Sequence, residues 1–428
     1  MKHESQRIPA GPAEKFDSTQ ELLGWMGDHL GQYGDIYKAS VYGVTVYVIS
    51  APDYVEYVLL KNWQNFLRKG QAVKRIALSL GNGLISSNGA FWVKQRRMIQ
   101  PAFSRSAVSA LSSVIVGANL ALCAKWKNAA RLRESVNVTR DVSVLILEIT
   151  LRSIFGNDYD KVAPPFAIVA EESRDLAFAQ TCASLGAVII EVAVQRRKDE
   201  NLAADILGMV MQARDRDHDQ PMSDAQLAKE ILTIVIAGHE TTASVLNWTW
   251  YLLSKHPQVE AKMSREFTHL LGSVFPTVDD FPKFVYTRRV IDEALRLYPP
   301  LWLMTRRAVR DDHLGDYFVP AGTEIYISPY LIQRHPALWD VPEQFDPDRC
   351  ESGDSDGRHQ LAMCPFGAGP RNCIGEFFAR IEMQIHLMVI AKELRLRYDE
   401  TQPPEMMAGM NLLSRHDFVM APEIKADV

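Results

Sequence analysis

Cysteine is scarce in this chain, five among 428 residues, and Cys123, Cys182, Cys350, Cys364 and Cys373 form no CxxC or zinc-type spacing. Scattered and odd in number, they argue against a disulfide scaffold and for a reducing, cytoplasmic home. Excess charge is missing too: 47 basic against 52 acidic residues leave a net charge of −5. That balance carries no electrostatic footprint for nucleic acid or an anionic membrane. The opening MKHESQRIPAGPAEKF lacks the apolar core of a signal peptide. One uncharged run extends from Ser106 to Ala124, but four serines, Gly117 and Asn119 dilute it. It reads as a buried helix, and no membrane anchor is expected. Repeats and low-complexity segments are absent as well.

What is present is patterned for a mainly α chain with a small β-containing lobe. Asp35–Ser40 and Val44–Ser50 read as strands around Tyr42-Gly43, and Ala51–Lys61 has helical spacing. From Asn88 to Leu270 the pattern is helical nearly throughout. The longest helix starts at Ser223, which forms a capping box with Gln226, and closes at Lys255-His256-Pro257. About thirty residues span roughly 45–50 Å, enough to cross a domain. His313–Pro320 and Thr323–Ser328 read as further strands, followed by an irregular stretch over Pro336–Pro370 and a last helix from near Cys373 to Leu394. We read residues 1–428 as one domain, with the β-containing lobe near 30–85 and 305–330.

The segment Pro365-Phe366-Gly367-Ala368-Gly369-Pro370-Arg371-Asn372-Cys373-Ile374-Gly375 carries the chemistry. A thiolate bound to iron in a flat macrocycle must be shielded and must approach the ring closely. Glycines at 367, 369 and 375 remove side chains and permit positive φ. A helix beginning at Cys373 points its positive end at the sulfur and favours thiolate. Phe366 packs beside the sulfur, and Arg371 offers a cation to a propionate.

This segment resembles the signature FxxGxRxCxG of the cytochrome P450 family, through Phe366, Gly369, Arg371, Cys373 and Gly375. Three further matches follow the family's order. Glu293-Ala294-Leu295-Arg296, with Arg349, resembles its buried Glu-Arg-Arg network; Cys350 stands where the family usually has Phe. Ala237-Gly238-His239-Glu240-Thr241-Thr242 lies in the middle of the long helix, where glycine, acid and hydroxyl are poor helix formers. The resemblance makes Glu240 and Thr241 the acid–alcohol pair that delivers protons to bound dioxygen, with local widening of the helix at Gly238. His239 is offset from both neighbours and is expected to pack or face solvent. In Trp92-Val93-Lys94-Gln95-Arg96, positions four apart share a face and can meet one propionate. Arg306 matches another propionate position, its neighbour Arg307 leaving a one-residue ambiguity.

The resemblance implies the cytochrome P450 fold, with its long central helix over haem b. It implies monooxygenation, hydroxylation or epoxidation, of a hydrophobic small molecule. Electrons should come from NAD(P)H through separate partners, ferredoxin and ferredoxin reductase, with Lys94, Arg97 and Arg105 offering a docking patch. Substrate contacts are expected from Val73–Ser86, Leu301, Trp302, Met304 and the tip Met410–Leu413, including Leu412. Two other readings share these residues, a peroxide-driven peroxygenase and a non-catalytic haem-binding sensor; the intact Glu240–Thr241 pair argues against both.

One departure stands out. Phe155-Gly156 and Arg196-Arg197, which resemble the ends of the roof over the distal pocket, lie only about forty residues apart. Two helical patterns, Pro165–Ala179 and Ser184–Arg197, are expected to join around Thr181–Ala183. A shortened roof implies an open mouth and a substrate that is bulky or presented on a carrier.

Overall fold

The computed structural model describes residues 7–13, 15–16, 21–170, 177–200, 203–271, 278, 280–350, 358–399, 401 and 403–425. The chain forms two compact units. Met1–Lys74, Asp292–Cys373 and Glu405–Arg415 make the first; Arg75–Ile291, Ile374–Pro404 and His416–Val428 make the second.

The first unit is built on a sheet. Ile36–Val41 and Val44–Ile49 pair antiparallel. Tyr42 and Gly43 turn between them with φ of 49° and 72°, both left-handed as a two-residue hairpin loop requires. Glu324–Ile327 adds parallel to Val44–Ile49, then Met304–Ala308 and Phe66–Leu67 follow; Lys15–Phe16 closes the other edge. Side chains alternate along each strand, so the sheet buries both faces. Tyr47, Ile49, Ile325 and Ile327 pack on one side, and Tyr37, Val46, Val48 and Tyr326 on the other with the helix Leu22–Tyr33. The strand expected over 313–320 is instead a hairpin, Asp312–Leu314 with Tyr317–Val319, because Gly315 turns at φ 56°.

Helices make the second unit. Arg105–Leu132 is long and apolar enough to cross a membrane by length and composition, so its serines dilute it less than expected. Its inward stripe of Val108, Leu111, Ile115, Leu122 and Trp126 is buried, and the helix packs on Glu376–Glu393. The central helix runs over Asp224–Lys255, 32 residues. Its N-cap is Ser223, whose hydroxyl accepts the Gln226 N–H at 3.3 Å. Only this half of the capping box forms: the Gln226 amide donates to the Asn82 carbonyl (3.0 Å) and to Glu230 (2.7 Å). The helix stays α-helical past Gly238, with no π-type turn in it. Glu376–Glu393 starts three residues later than expected, with Gly375 as its cap, which leaves Cys373 in the preceding turn.

The roof segment also differs. Tyr159–Phe166 and a 3₁₀ turn over Ala167–Ala170 replace the first expected helix, and Ala177–Lys198 continues unbroken through 181–183. Thr181 and Ser184 are only mildly unfavourable in a helix and do not end it. The connection, 171–176, lies outside the described residues. The far end of this helix is pinned by Arg196, 4% exposed, which bonds both Asp205 oxygens (2.7 and 2.8 Å) and Asp158 (2.8 Å).

Candidate functional site

In the first unit, the helix Val285–Leu297 ends on a buried ion network. Glu293 receives Arg296 through Nε and Nη2, both at 2.8 Å, and Arg349 Nε at 2.8 Å. Glu293 is fully buried and Arg296 is 1% exposed. Arg296 spends its remaining donors on the carbonyls of Gln333 (2.8 Å), Pro342 (2.7 Å) and Gln344 (3.1 Å). Every charge is therefore both paired and hydrogen-bonded, the condition under which burial is tolerated; removing one partner costs about 3–5 kcal/mol. Gln333, which the sequence offered no reason to single out, extends the network: its amide donates to the Leu295 and Arg296 carbonyls, and its oxygen accepts the Cys364 N–H at 3.1 Å. Cys350 follows Arg349 directly, and its side chain lies outside the described residues.

Cys364 opens the loop toward Cys373. Gly367 donates to the Cys364 carbonyl (3.0 Å), and the Cys373 N–H returns to the Phe366 carbonyl at 2.9 Å, closing the turn. Gly367 and Gly369 have φ of 73° and 71°. A Cβ on Gly369 would sit 2.2 Å from the Leu59 carbonyl oxygen, so the loop is pressed onto the turn Tyr57–Lys61. Among the described residues Cys373 is the exposed cysteine, while Cys123, Cys182 and Cys364 are buried. Burial pushes those three thiols up, to about 11, 11 and 12, away from any thiolate.

The same unit gathers three arginines. Arg306 on Met304–Ala308 is 5% exposed and Arg371 is 8% exposed; Arg68 reaches the Arg371 carbonyl at 3.4 Å. Burial, then the charges of Arg68 and Arg371, hold the Arg306 guanidinium well below its ordinary range. An anion beside this cluster would relieve both penalties. Alternation along the strand separates the neighbours: Arg307 bonds the Gly322 carbonyl at 3.1 Å, and Arg306 joins the cluster. An accessible thiol on a glycine-lined loop and a buried cationic cluster form a donor set that fits haem, a planar iron ligand with carboxylate arms. Of the expected substrate residues, Trp302 and Leu412 are 5% and 0% exposed in the core beside Met26 and Tyr37, which is a packing role. The Trp302 indole donates to the Gly409 carbonyl at 2.9 Å. Leu301 is half-buried, and the Met304 sulfur lies 3.6 Å from where a Gly367 Cβ would be.

In the second unit, the central helix presents Gly238, Glu240 and Thr241, each half-buried. Thr241 Oγ1 donates to the Ala237 carbonyl at 2.7 Å. His239 turns to the helix Val138–Phe155, where Nε2 lies 3.0 Å from both the hydroxyl and the carbonyl of Ser143; its role is packing. Glu382, on Glu376–Glu393, is buried, and burial drives its carboxyl far above the carboxylate range. Glu230 is driven up by burial to about 7, against bonds from Leu84 N–H (2.8 Å) and Gln226. It holds the loop that follows Gln71–Leu80. The helix Gly89–Ile99 carries Trp92, buried, and Arg96, half-buried one turn on. Lys94 pairs with the buried Asp215 at 2.9 Å, and Arg97 and Arg105 are exposed. Glu382 and Arg68 belong to no motif. A polar residue in an apolar helix (Ile381-Glu382-Met383) was the available signal for the first; nothing local marked the second.

A family model described as Cytochrome P450 matches residues 16–181 and 174–422. Cyclooctatin synthase of Streptomyces melanosporofaciens is 32% identical over 396 residues, covering 86% of this chain and 84% of its own. Pentalenene oxygenase of Streptomyces avermitilis is 29% identical over 385 residues, with 86% and 85% covered. The crystal structure of the cytochrome P450DA haem domain superposes with a TM-score of 0.87 at 26% identity, covering 98% of this chain and 97% of that one.

Proposed function

The chain belongs to the cytochrome P450 family and is a monooxygenase of that family, and from this premise we propose how its own residues serve the reaction. Cys373 is the ligand to haem iron. The observation that carries this assignment is an exposed thiol, on a loop closed onto Phe366, in the unit that also buries Arg306 and Arg371. Haem b held through a thiolate would supply the activation of dioxygen that no side chain can. Arg306 and Arg371 would hold a propionate, Trp92 and Arg96 in the second unit offer the same kind of donors, and Gly375 lets the backbone enter the helix beyond the sulfur. Glu293, Arg296 and Arg349 keep that region rigid.

Each turnover takes two electrons and two protons; one oxygen atom enters the substrate and the other leaves as water. Glu240 and Thr241 hold and pass the protons. The electrons come from NAD(P)H through ferredoxin and its reductase. Relatives named for pentalenene and cyclooctat-9-en-7-ol support a terpenoid-type substrate and a place in secondary metabolism. Leu301 and Met304 offer it apolar contact. The short chain between Gly156 and Arg196 supports a bulky or carrier-presented molecule. We assign the protein to the cytoplasm and read residues 1–428 as one working domain.

The test is Cys373→Ser in the haem-loaded protein. The red-shifted carbon-monoxide band of the reduced form should vanish while haem is still retained by its other contacts. A band that persists would move the ligand to another cysteine. NADPH-driven turnover with surrogate partners, against peroxide alone, separates the monooxygenase from the peroxygenase reading.

A further inference from the structure

About two turns before Gly238 the central helix buries Glu230, an acid with no part in the roles assigned so far. Its Oε2 accepts the Leu84 N–H at 2.8 Å, and its Oε1 accepts the Gln226 amide at 2.7 Å. The same amide donates to the Asn82 carbonyl at 3.0 Å. One carboxylate and one amide therefore grip the loop after Gln71–Leu80 at two backbone groups. Neither donor is charged, and no other charge bears on the acid: burial raises it to about 7 against these two bonds.

The loop is shaped for this seat. The N–H groups of Ser86 and Ser87 return to the Gly83 carbonyl at 3.1 and 2.9 Å, and the Ser86 hydroxyl to the Gly81 carbonyl at 2.7 Å, so the loop is tied as a unit. Gly83 is buried, and a Cβ there would stand 2.6 Å from the Thr233 hydroxyl and 3.4 Å from the Lys229 carbonyl. That hydroxyl is itself bonded to the Lys229 carbonyl at 2.7 Å, so it leaves no room without losing a bond. Residues 81–87 include no titratable side chain. On the helix turn beneath them the charged neighbour is Lys229, exposed, whose stem lies against Gly81. The loop leads directly into Gly89–Ile99, the helix of Trp92 and Arg96.

We propose that Glu230 is a positioning residue: its carboxylate seats residues 81–87 on the central helix and so sets how tightly a bulky ligand is held. This rests on the reading of Val73–Ser86 as substrate-contacting. Both grips need the ionised acid, because the Leu84 N–H and the Gln226 NH2 can only donate; a protonated acid would set its own O–H against one of them. The loop is therefore seated above about pH 7 and loosened below it. The full-length haem-loaded protein is compared with Glu230→Gln and Gly83→Ala. Gln mimics the protonated acid, and Ala lifts the loop while leaving the carboxylate in place. Hydrogen exchange at the Leu84 amide, corrected for its intrinsic rate, should be about tenfold faster in both variants, with or without ligand. The pocket is read with 4-phenylpyridine, whose nitrogen takes the iron and stays neutral from pH 6.5 to 8, and with pyridine as the small control. Affinity of the unchanged protein for 4-phenylpyridine should fall about fourfold from pH 8 to 6.5, in step with the fraction of seated loop. Glu230→Gln should bind it weakly at both pH values, without that slope, and pyridine should bind all three proteins alike.

Unchanged Leu84 exchange in Glu230→Gln overturns the inference alone, and so does a pH slope that survives in that variant. An equal loss for pyridine and 4-phenylpyridine would place the effect at the iron and also overturn it. If exchange quickens in both variants while 4-phenylpyridine binds as before, the loop is released but touches no ligand, and the reading of Val73–Ser86 fails and takes the inference with it. Should Gly83→Ala not fold, Glu230→Gln and the pH slope of the unchanged protein decide.

Discussion

His386 accepts the indole N–H of Trp250 at 2.8 Å, and its Nδ1 lies 2.7 Å from the Asn119 side-chain oxygen. The ring is therefore neutral with its proton on Nδ1, since Trp250 can only donate. Asn119 donates onward to the Ile115 carbonyl at 2.8 Å. Three helices, Arg105–Leu132, Asp224–Lys255 and Glu376–Glu393, are tied by this one chain of bonds inside an otherwise apolar core. A second proton on the ring would set N–H against N–H.

That conflict makes the protein acid-sensitive. Burial depresses His386 from 6.5 to about 3. Below pH 6.5 the unfolded chain takes a proton that the folded one refuses, so stability is complete above that pH and lost as pH falls toward 3. The whole window is worth on the order of 4–5 kcal/mol, about 2 kcal/mol of it already lost at pH 5. His386→Gln keeps an acceptor for Trp250 without titrating. Denaturant unfolding at pH 7.5 and 5 should show a shallower acid loss in this variant, and equal losses in both proteins would refute the account.

Gly369 and Gly367 separate strain from collision. Both have φ near +70°, which costs a side chain about 1–2 kcal/mol. At Gly369 a Cβ also meets the Leu59 carbonyl at 2.2 Å, whereas at Gly367 the nearest atom is the Met304 sulfur at an ordinary 3.6 Å. Gly367→Ala should therefore fold with a modest fall in Tm. Gly369→Ala should lose several kcal/mol more or fail to accumulate as folded protein. Equal melting temperatures would mean that the loop is not pressed against Leu59.

Thr241→Ala tests the proton pair without disturbing the fold. The Thr241 hydroxyl adds only a side-chain bond to the Ala237 carbonyl. Its loss should move stability by no more than about 0.5 kcal/mol. Substrate binding, read as a low-to-high-spin shift, should persist while NADPH oxidation yields peroxide in place of product. A normal product yield per NADPH would remove Thr241 from the proton route; loss of folded protein would make its role structural.

Legibility in the sequence followed the range of the interaction. The Tyr42-Gly43 hairpin, the Ser223 cap and the helix ending after Arg296 were readable because each depends on residues within a few positions. Glu293 and Arg296, three apart on one helix, could be paired on paper, and motif order brought in Arg349 across more than fifty positions. The roof helices were misjudged because Thr181 and Ser184 look like a break locally, yet the helix continues through them. The start of the last helix was placed at Cys373, where a turn closed by the Phe366 carbonyl intervenes.

By itself, then, the sequence determined the family, the candidate sulfur and the acid–alcohol pair. These rest on short patterns in which backbone geometry admits few residue types: glycine where φ is positive, cysteine where a soft ligand is needed. The tertiary structure decided which polar groups are paired and which are neutral. Arg306 rather than Arg307 joins Arg68 and Arg371; Lys94 is spent on Asp215; burial pushes the Glu382 carboxyl far up. Burial and charge state are set by neighbours brought from distant parts of the chain, and no local pattern encodes the dielectric those neighbours create.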